Sequence, residues 1–168
     1  HLSKNKYEHG LGKNAANFPP LTPLSFIERT ARVFPDYTAV IHGEIRRSWA
    51  ETYQRCIKLA SALHNRGVKK GDTVAMMLPN VPAALEAHFG VPMSGAVLNA
   101  LNIRLDAKTI AFILDHGEAE ILLTDKEFYE TIKEALSLCK SKPLVIDVED
   151  DLAPGGELLG EIEYEDFL

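Results

Sequence analysis

The sequence predicts an α/β fold: a mainly parallel sheet built from βαβ units with helices packed on it, preceded by a helix and a β-hairpin. Three observations carry this. Apolar strand-like runs begin at residues 73, 96, 120 and 144, steps of 23, 24 and 24 positions that match a strand plus its crossover helix. Between the runs lie segments with apolar residues at helical spacing. Ahead of them, two short β-rich runs flank Gly43-Glu44.

The elements follow in order. Residues 1–21 read as an irregular segment broken by Gly10, Gly12, Pro19 and Pro20. Thr22 as N-cap and Pro23 at the first helical position open a helix with Leu24, Ile27, Ala31 and Phe34 on one face. Residues 38–42 and 45–48 form the hairpin. Ser48 and Glu51 make a capping box for the next helix, and Gly67 stops it. Its apolar stripe reads as Trp49, Tyr53, Cys56, Ile57, Ala60 and Leu63, with Gln54, Arg55 and Lys58 opposite, so Trp49 is expected to be buried.

In the sheet region the strands are 73–78, 96–101, 120–124 and 144–148. Asn80 is read as the cap of an almost wholly apolar helix through Val81, Leu85 and Phe89. Asp106 caps the next helix, which ends at Gly117. Asp125 caps the third, turning Phe128, Ile132, Ala135, Leu136 and Cys139 inward. Residues 149–168 read as an acidic surface connection, with a short helix at its end. The organisation is therefore an irregular segment over 1–21, an α/β domain over 22–148 and the connection over 149–168. The sheet stops in mid-pattern and the chain opens on His1 rather than Met, so it reads as a trimmed front part of something larger.

Composition excludes several classes. With 168 residues, 46% of them hydrophobic and 25% charged, the chain has the balance of a globular domain. No apolar run reaches the ~18 residues that span a bilayer. The polar N-terminus carries no signal-peptide stretch, which makes a cytoplasmic location the default expectation. The net charge of -6 is unevenly spread: residues 1–84 hold 12 Lys/Arg against 6 Asp/Glu, and residues 85–168 hold 6 against 18. No concentrated basic patch emerges, so nucleic acid is not an expected partner, and Arg29, Arg46, Arg55 and Lys58 read as solvated. Cys56 and Cys139 lie 83 positions apart on apolar helical faces, which suits buried free thiols.

Local motifs yield little chemistry. Gly10, Gly12 and Ala15 match a dinucleotide-binding pattern, but no strand precedes them to make that loop work. There is no phosphate loop and no G-x-S-x-G elbow, and the six histidines show no metal-ligand spacing. His88 and Phe89 sit on the apolar helix, where His88 reads as a buried, hydrogen-bonded residue more readily than as a pocket-lining one. Ligands of α/β sheets meet the carboxyl ends of the strands, here Asn80, Asn102, Arg104, Thr124 and Asp125, with Arg104 read as a structural ion-pair partner. No catalytic, cofactor-binding or metal-binding residue is assigned.

The ordered landmarks TPLSFIERTARVFPDYTAVIHG (22–43), SWAETYQRCIKLASALHNRGVKKGDTVAMMLPN (48–80), EAHFGVPMSGAVLNALNIRLDAKTIAFIL (86–114) and EIEYEDFL (161–168) resemble the N-terminal portion of AMP-forming acyl-CoA synthetases, in the adenylate-forming superfamily. The resemblance is greatest to the branch holding plant acyl-activating enzymes and bacterial methylmercaptopropionate-CoA ligases. It implies an incomplete N-terminal part of that fold. The implied reaction joins a carboxylic acid, ATP and CoA into acyl-CoA, AMP and pyrophosphate with magnesium. The implied partners are the small carboxylic acid and the remainder of the same chain. The family's phosphate loop, adenine clamp, ribose anchor and C-terminal lysine have no counterpart in these residues, so the segment is expected to be scaffold, inactive alone and binding none of those cofactors. Residues around His88 and Phe89 would approach the acyl pocket. The alternative is a non-catalytic binding or interaction module on the same scaffold, distinguished by whether the reading frame continues into a Ser/Thr/Gly-rich loop.

Overall fold

A computed structural model describes residues 21–168; the irregular segment and the Gly10–Ala15 motif fall outside these residues, apart from Leu21. Helix α1 (Pro23–Val33) leads into β1 (Thr38–His42) and β2 (Ile45–Ser48), then α2 (Trp49–Asn65). The sheet region runs β3 (Thr73–Met77), α3 (Pro82–Met93), β4 (Val97–Ala100), α4 (Ala107–His116), β5 (Ala119–Asp125), α5 (Tyr129–Leu138) and β6 (Leu144–Val148). It closes with β7 (Ile162–Glu163) and α6 (Tyr164–Phe167).

The parallel sheet is as expected. Its five strands lie in the order β4-β3-β5-β6-β7, every neighbouring pair parallel, while β1 and β2 form a separate antiparallel hairpin. The chain steps from β3 to β4 on one side and then crosses to β5 on the other, which sets the topological switch point between β3 and β5. Alternate residues of each strand feed opposite faces. Val74, Met76, Leu123 and Ile146 join Leu59, Leu63, Ala87 and Val91 from α2 and α3 on one face. Ala75, Met77 and Leu122 join Ile110, Leu114, Ile132 and Ala135 from α4 and α5 on the other. Strands covered on both faces must be apolar throughout, which is why they stand out in the sequence.

Most helix ends follow the local chemistry. Ser48 Oγ accepts the Glu51 amide at 3.2 Å while Glu51 Oε2 accepts the Ser48 amide at 2.7 Å. Asp106 accepts the Thr109 amide at 2.8 Å. Gly67, with φ +89°, takes the left-handed position after α2. Asp125 caps a 3₁₀ turn over Lys126–Phe128, and α5 starts after it. The cap of α3 is Val81 rather than Asn80: Pro82 occupies the first helical position, which shifts the start by one residue.

Three expectations are corrected. The buried stripe of α2 is Thr52, Cys56, Leu59 and Leu63, displaced around the helix from the one read in the sequence; Ile57 is exposed and Trp49 only half-buried. On the same helix Arg55, expected in solvent, turns inward to the buried carboxylate of Glu86. Phe34 is likewise exposed, where it meets Tyr37 edge-on with ring centroids 5.4 Å apart. Finally, residues 162–168 do not stay on the surface. They add β7 to the sheet and bury Tyr164 and Phe167 in the α2/α3 core.

Helices α2 and α3 touch at Gly90, where an added Cβ would lie 2.8 Å from Leu59 Cδ2 and 2.9 Å from the Cys56 carbonyl oxygen. The carbonyl cannot move without moving the helix, so Gly90→Ala is expected to cost about 1–3 kcal/mol, the usual overpacking range, measured by urea unfolding. A neutral G90A would mean that α2 and α3 are more loosely packed than described. Cys56 and Cys139 are both free and buried, and burial pushes the Cys56 thiol up to about 12. Thiol labelling is expected to be far slower in the native protein than after denaturation, and rapid native labelling of Cys56 would contradict its place beneath α3.

Candidate functional site

Where β3 ends and the chain turns through Asn80, Val81 and Pro82 into α3, a groove of about 370 Å³ opens against β1. Its walls are mainly aliphatic, including Ile41, Val81 and Leu85, and its polar groups are His42, Asn80 and His88. The size lies within the ordinary range of ligand pockets, roughly 300–1,000 Å³. Such walls suit an apolar group and offer no cation for a phosphate chain.

His88 is exposed rather than buried, because it stands on the side of α3 turned away from the sheet. Its Nδ1 lies 2.7 Å from the Ala84 carbonyl oxygen, an acceptor, so that nitrogen donates. Phe89, the next residue, is half-buried and does not line the groove.

The other strand-end residues do not converge. Asn102 Oδ1 accepts the Arg104 amide at 2.9 Å in a local turn. Arg104 is exposed and forms no ion pair among the described residues, contrary to the structural pairing expected for it. Thr124 and Asp125 are buried at the switch point. Asp125 Oδ1 accepts the Glu127 amide at 2.9 Å, while Oδ2 has no partner, and burial moves this carboxyl above the usual range.

The densest polar cluster was not anticipated. Glu86, 1% exposed in α3, receives Arg47 Nη1 at 2.7 Å and Arg55 Nε at 2.6 Å on Oε1, and the Tyr164 hydroxyl at 2.8 Å on Oε2. Arg55 also grips Glu165 with two further bonds of 2.9 and 2.6 Å. Burial alone would lower the Arg55 pKa, but its bonds to Glu165 and Glu86 outweigh that and move it upward. The signal for this cluster was a single glutamate inside the apolar run VPAALEAHFGVPM, a position where a charge needs a partner. Beside it a narrower cleft of about 190 Å³ runs from the hairpin turn to Tyr164, and His42 Nε2 lies 2.9 Å from Asp150 Oδ1 at its rim. These are positioned charges, with no nucleophile set against a base.

Neither a triphosphate nor a divalent cation fits these residues. Among those described, no three His, Cys, Asp or Glu side chains are grouped to hold a metal ion. Arg47 and Arg55 are committed to Glu86. Among the described residues, no helix is long and apolar enough to cross a membrane.

The AMP-binding enzyme model matches residues 27–166. The chain is 47% identical over 170 residues to the acetate–CoA ligase CCL3 of Humulus lupulus, covering 94% of this chain and 30% of that protein. It is 46% identical over 170 residues to the peroxisomal acetate/butyrate–CoA ligase AAE7 of Arabidopsis thaliana, with the same two coverages. In three dimensions it is similar to the anthranilate CoA ligase AuaEII, crystallised with anthranoyl-AMP, at a TM-score of 0.80 and 18% identity over 92% of this chain and 29% of that one, a likeness of fold. The chain thus spans under a third of the length of these relatives. The cytoplasmic expectation is overturned, since AAE7 and other relatives are named as peroxisomal.

Because Asp125 is bonded on one oxygen only, its ionised form is a load on the fold. A carboxyl whose folded pKa is raised binds its proton more tightly in the native state, so stability falls as pH rises from the unfolded value near 3.9 through the folded one. Asp125→Asn keeps the acceptor for Glu127 and removes the charge. Thermal unfolding is expected to show a larger gain, or smaller loss, for D125N at pH 7 than at pH 4, and the opposite ordering would show that the carboxylate is supported.

Proposed function

The chain belongs to the AMP-binding enzyme family, and from that premise we propose that it is the N-terminal scaffold of an AMP-forming acyl-CoA synthetase. The reaction is the conversion of a carboxylic acid, ATP and CoA into acyl-CoA, AMP and pyrophosphate. One observation carries the reading: the similarity over 94% of the chain to acetate– and acetate/butyrate–CoA ligases. The 47% and 46% identity to acetate– and acetate/butyrate–CoA ligases supports a short aliphatic acid as substrate, while a butyrate– and a benzoate–CoA ligase stand level at 42%.

Magnesium would supply charge neutralisation on the ATP phosphates, and no residue described here is assigned to hold it. This segment contributes shape. Its parallel sheet opens at the carboxyl ends of its strands, and the groove lined by Asn80 and His88 is the part that approaches the acyl pocket, with Phe89 next along the helix. A peroxisomal setting accords with the names of the relatives.

The full reading frame, given ATP, CoA and magnesium, is expected to form thioesters with acetate and butyrate at a kcat/KM at least tenfold above that with benzoate. The 168 residues alone are expected to release no acid-dependent pyrophosphate. Absence of thioester with every acid would defeat the ligase reading. Turnover by the 168-residue chain would defeat the scaffold reading.

A further inference from the structure

Two buried carboxylates bracket the last described residues. Asp147, on β6, accepts the Leu159 amide at 3.0 and 3.1 Å and also the amide of Gly160. Glu86, on α3, accepts the Tyr164 hydroxyl, and the next residue, Glu165, grips Arg55. Between these points lie a two-residue strand and a four-residue helix. A two-residue strand is too short to persist on its own hydrogen bonds. Their place is set by Tyr164 and Phe167 in the core, by Arg66 over the Phe167 ring and by the Glu86 cluster.

We propose that residues 162–168 form a strap with two unlike pins, a backbone pin at Asp147 and a side-chain clasp at Glu86, and that opening the clasp frees the strap as one unit while β3–β6 stay folded. Charge bookkeeping makes the two separable. With the strap lifted, Glu86 keeps both Arg47 and Arg55, so the core never holds an uncompensated anion. What the strap loses is one phenol–carboxylate bond, the partly exposed Arg55–Glu165 pair, the short β6–β7 pairing, the Arg66–Phe167 contact and the burial of two aromatic rings. The strap therefore sits at the low end of local stability, beside a sheet at the high end. This inference does not depend on the ligase reading.

The test is hydrogen exchange followed by mass spectrometry on the full-length protein and its Tyr164→Phe and Glu165→Gln variants. Y164F keeps the ring and removes only the donor, so exchange at residues 163–168 is expected to accelerate roughly tenfold or more, the scale of a hydrogen bond to a charged group. E165Q, on the exposed side, is expected to have a smaller effect at the same amides. Amides of β3 and β5 should stay within twofold of the parent in both variants. Glu86→Gln is a third variant, but Y164F and E165Q decide the matter if it does not fold. Equal acceleration in the strap and in β3 would overturn the proposal by showing a single cooperative unit. No acceleration at 163–168 would overturn it by showing that the clasp does not hold the strap.

Discussion

An ionised carboxylate at the centre of a protein imposes more order than any apolar contact, because its donors must arrive from fixed directions. Glu86 sets that condition here. Arg47 reaches it from the hairpin, Arg55 from α2 and Tyr164 from α6, so four elements share one charge. Around it α2 and α3 close to the distance that only Gly90 permits. Arg55 of α2 and Tyr164 of α6 meet at this centre, and Cys56 is buried on the adjoining stretch of α2. Replacing such a cluster with apolar residues can be neutral or stabilising in general, so its value lies in fixing one arrangement as much as in energy.

The sheet, by contrast, is held by ordinary means, and function is built beside it. Crossovers on both faces leave only the strand ends open, and the reversal of order between β3 and β5 creates the crevice there. In this chain Thr124 and Asp125 are buried at that crevice, and the aliphatic groove lies apart from them, between β1 and the start of α3.

What was legible in the sequence was whatever chemistry is local. Strands β3 to β6 begin within one residue of their expected starts; β3, β5 and β6 are covered on both faces and so read as largely apolar runs, while β4, at the sheet edge, is partly exposed. The Ser48–Glu51 box and the Asp106 cap involve residues three apart and could be read directly. The errors share a different cause. Arg55 was assigned to solvent because its partners lie 31 and 110 positions away, and no local period reveals them. The acidic stretch after Val148 looked like a surface connection for the same reason, although Tyr164 and Phe167 in it are core residues. His88 was expected inside because α3 is apolar nearly all round, a pattern that does not say which side is left open.

The long reach of the Glu86–Tyr164 bond also has a meaning in time. Its two ends are 78 residues apart, so on a ribosome adding roughly 5–20 residues per second the phenol follows the carboxylate by roughly 4 to 16 s. Arg47 and Arg55 precede Glu86 along the chain and are present from the start. The nascent α2–α3 pair can therefore neutralise its own buried anion and wait in compact form, with its remaining oxygen turned toward the side where the last segment will dock. A chain ordered the other way round would spend those seconds with an unpaired charge in its first core.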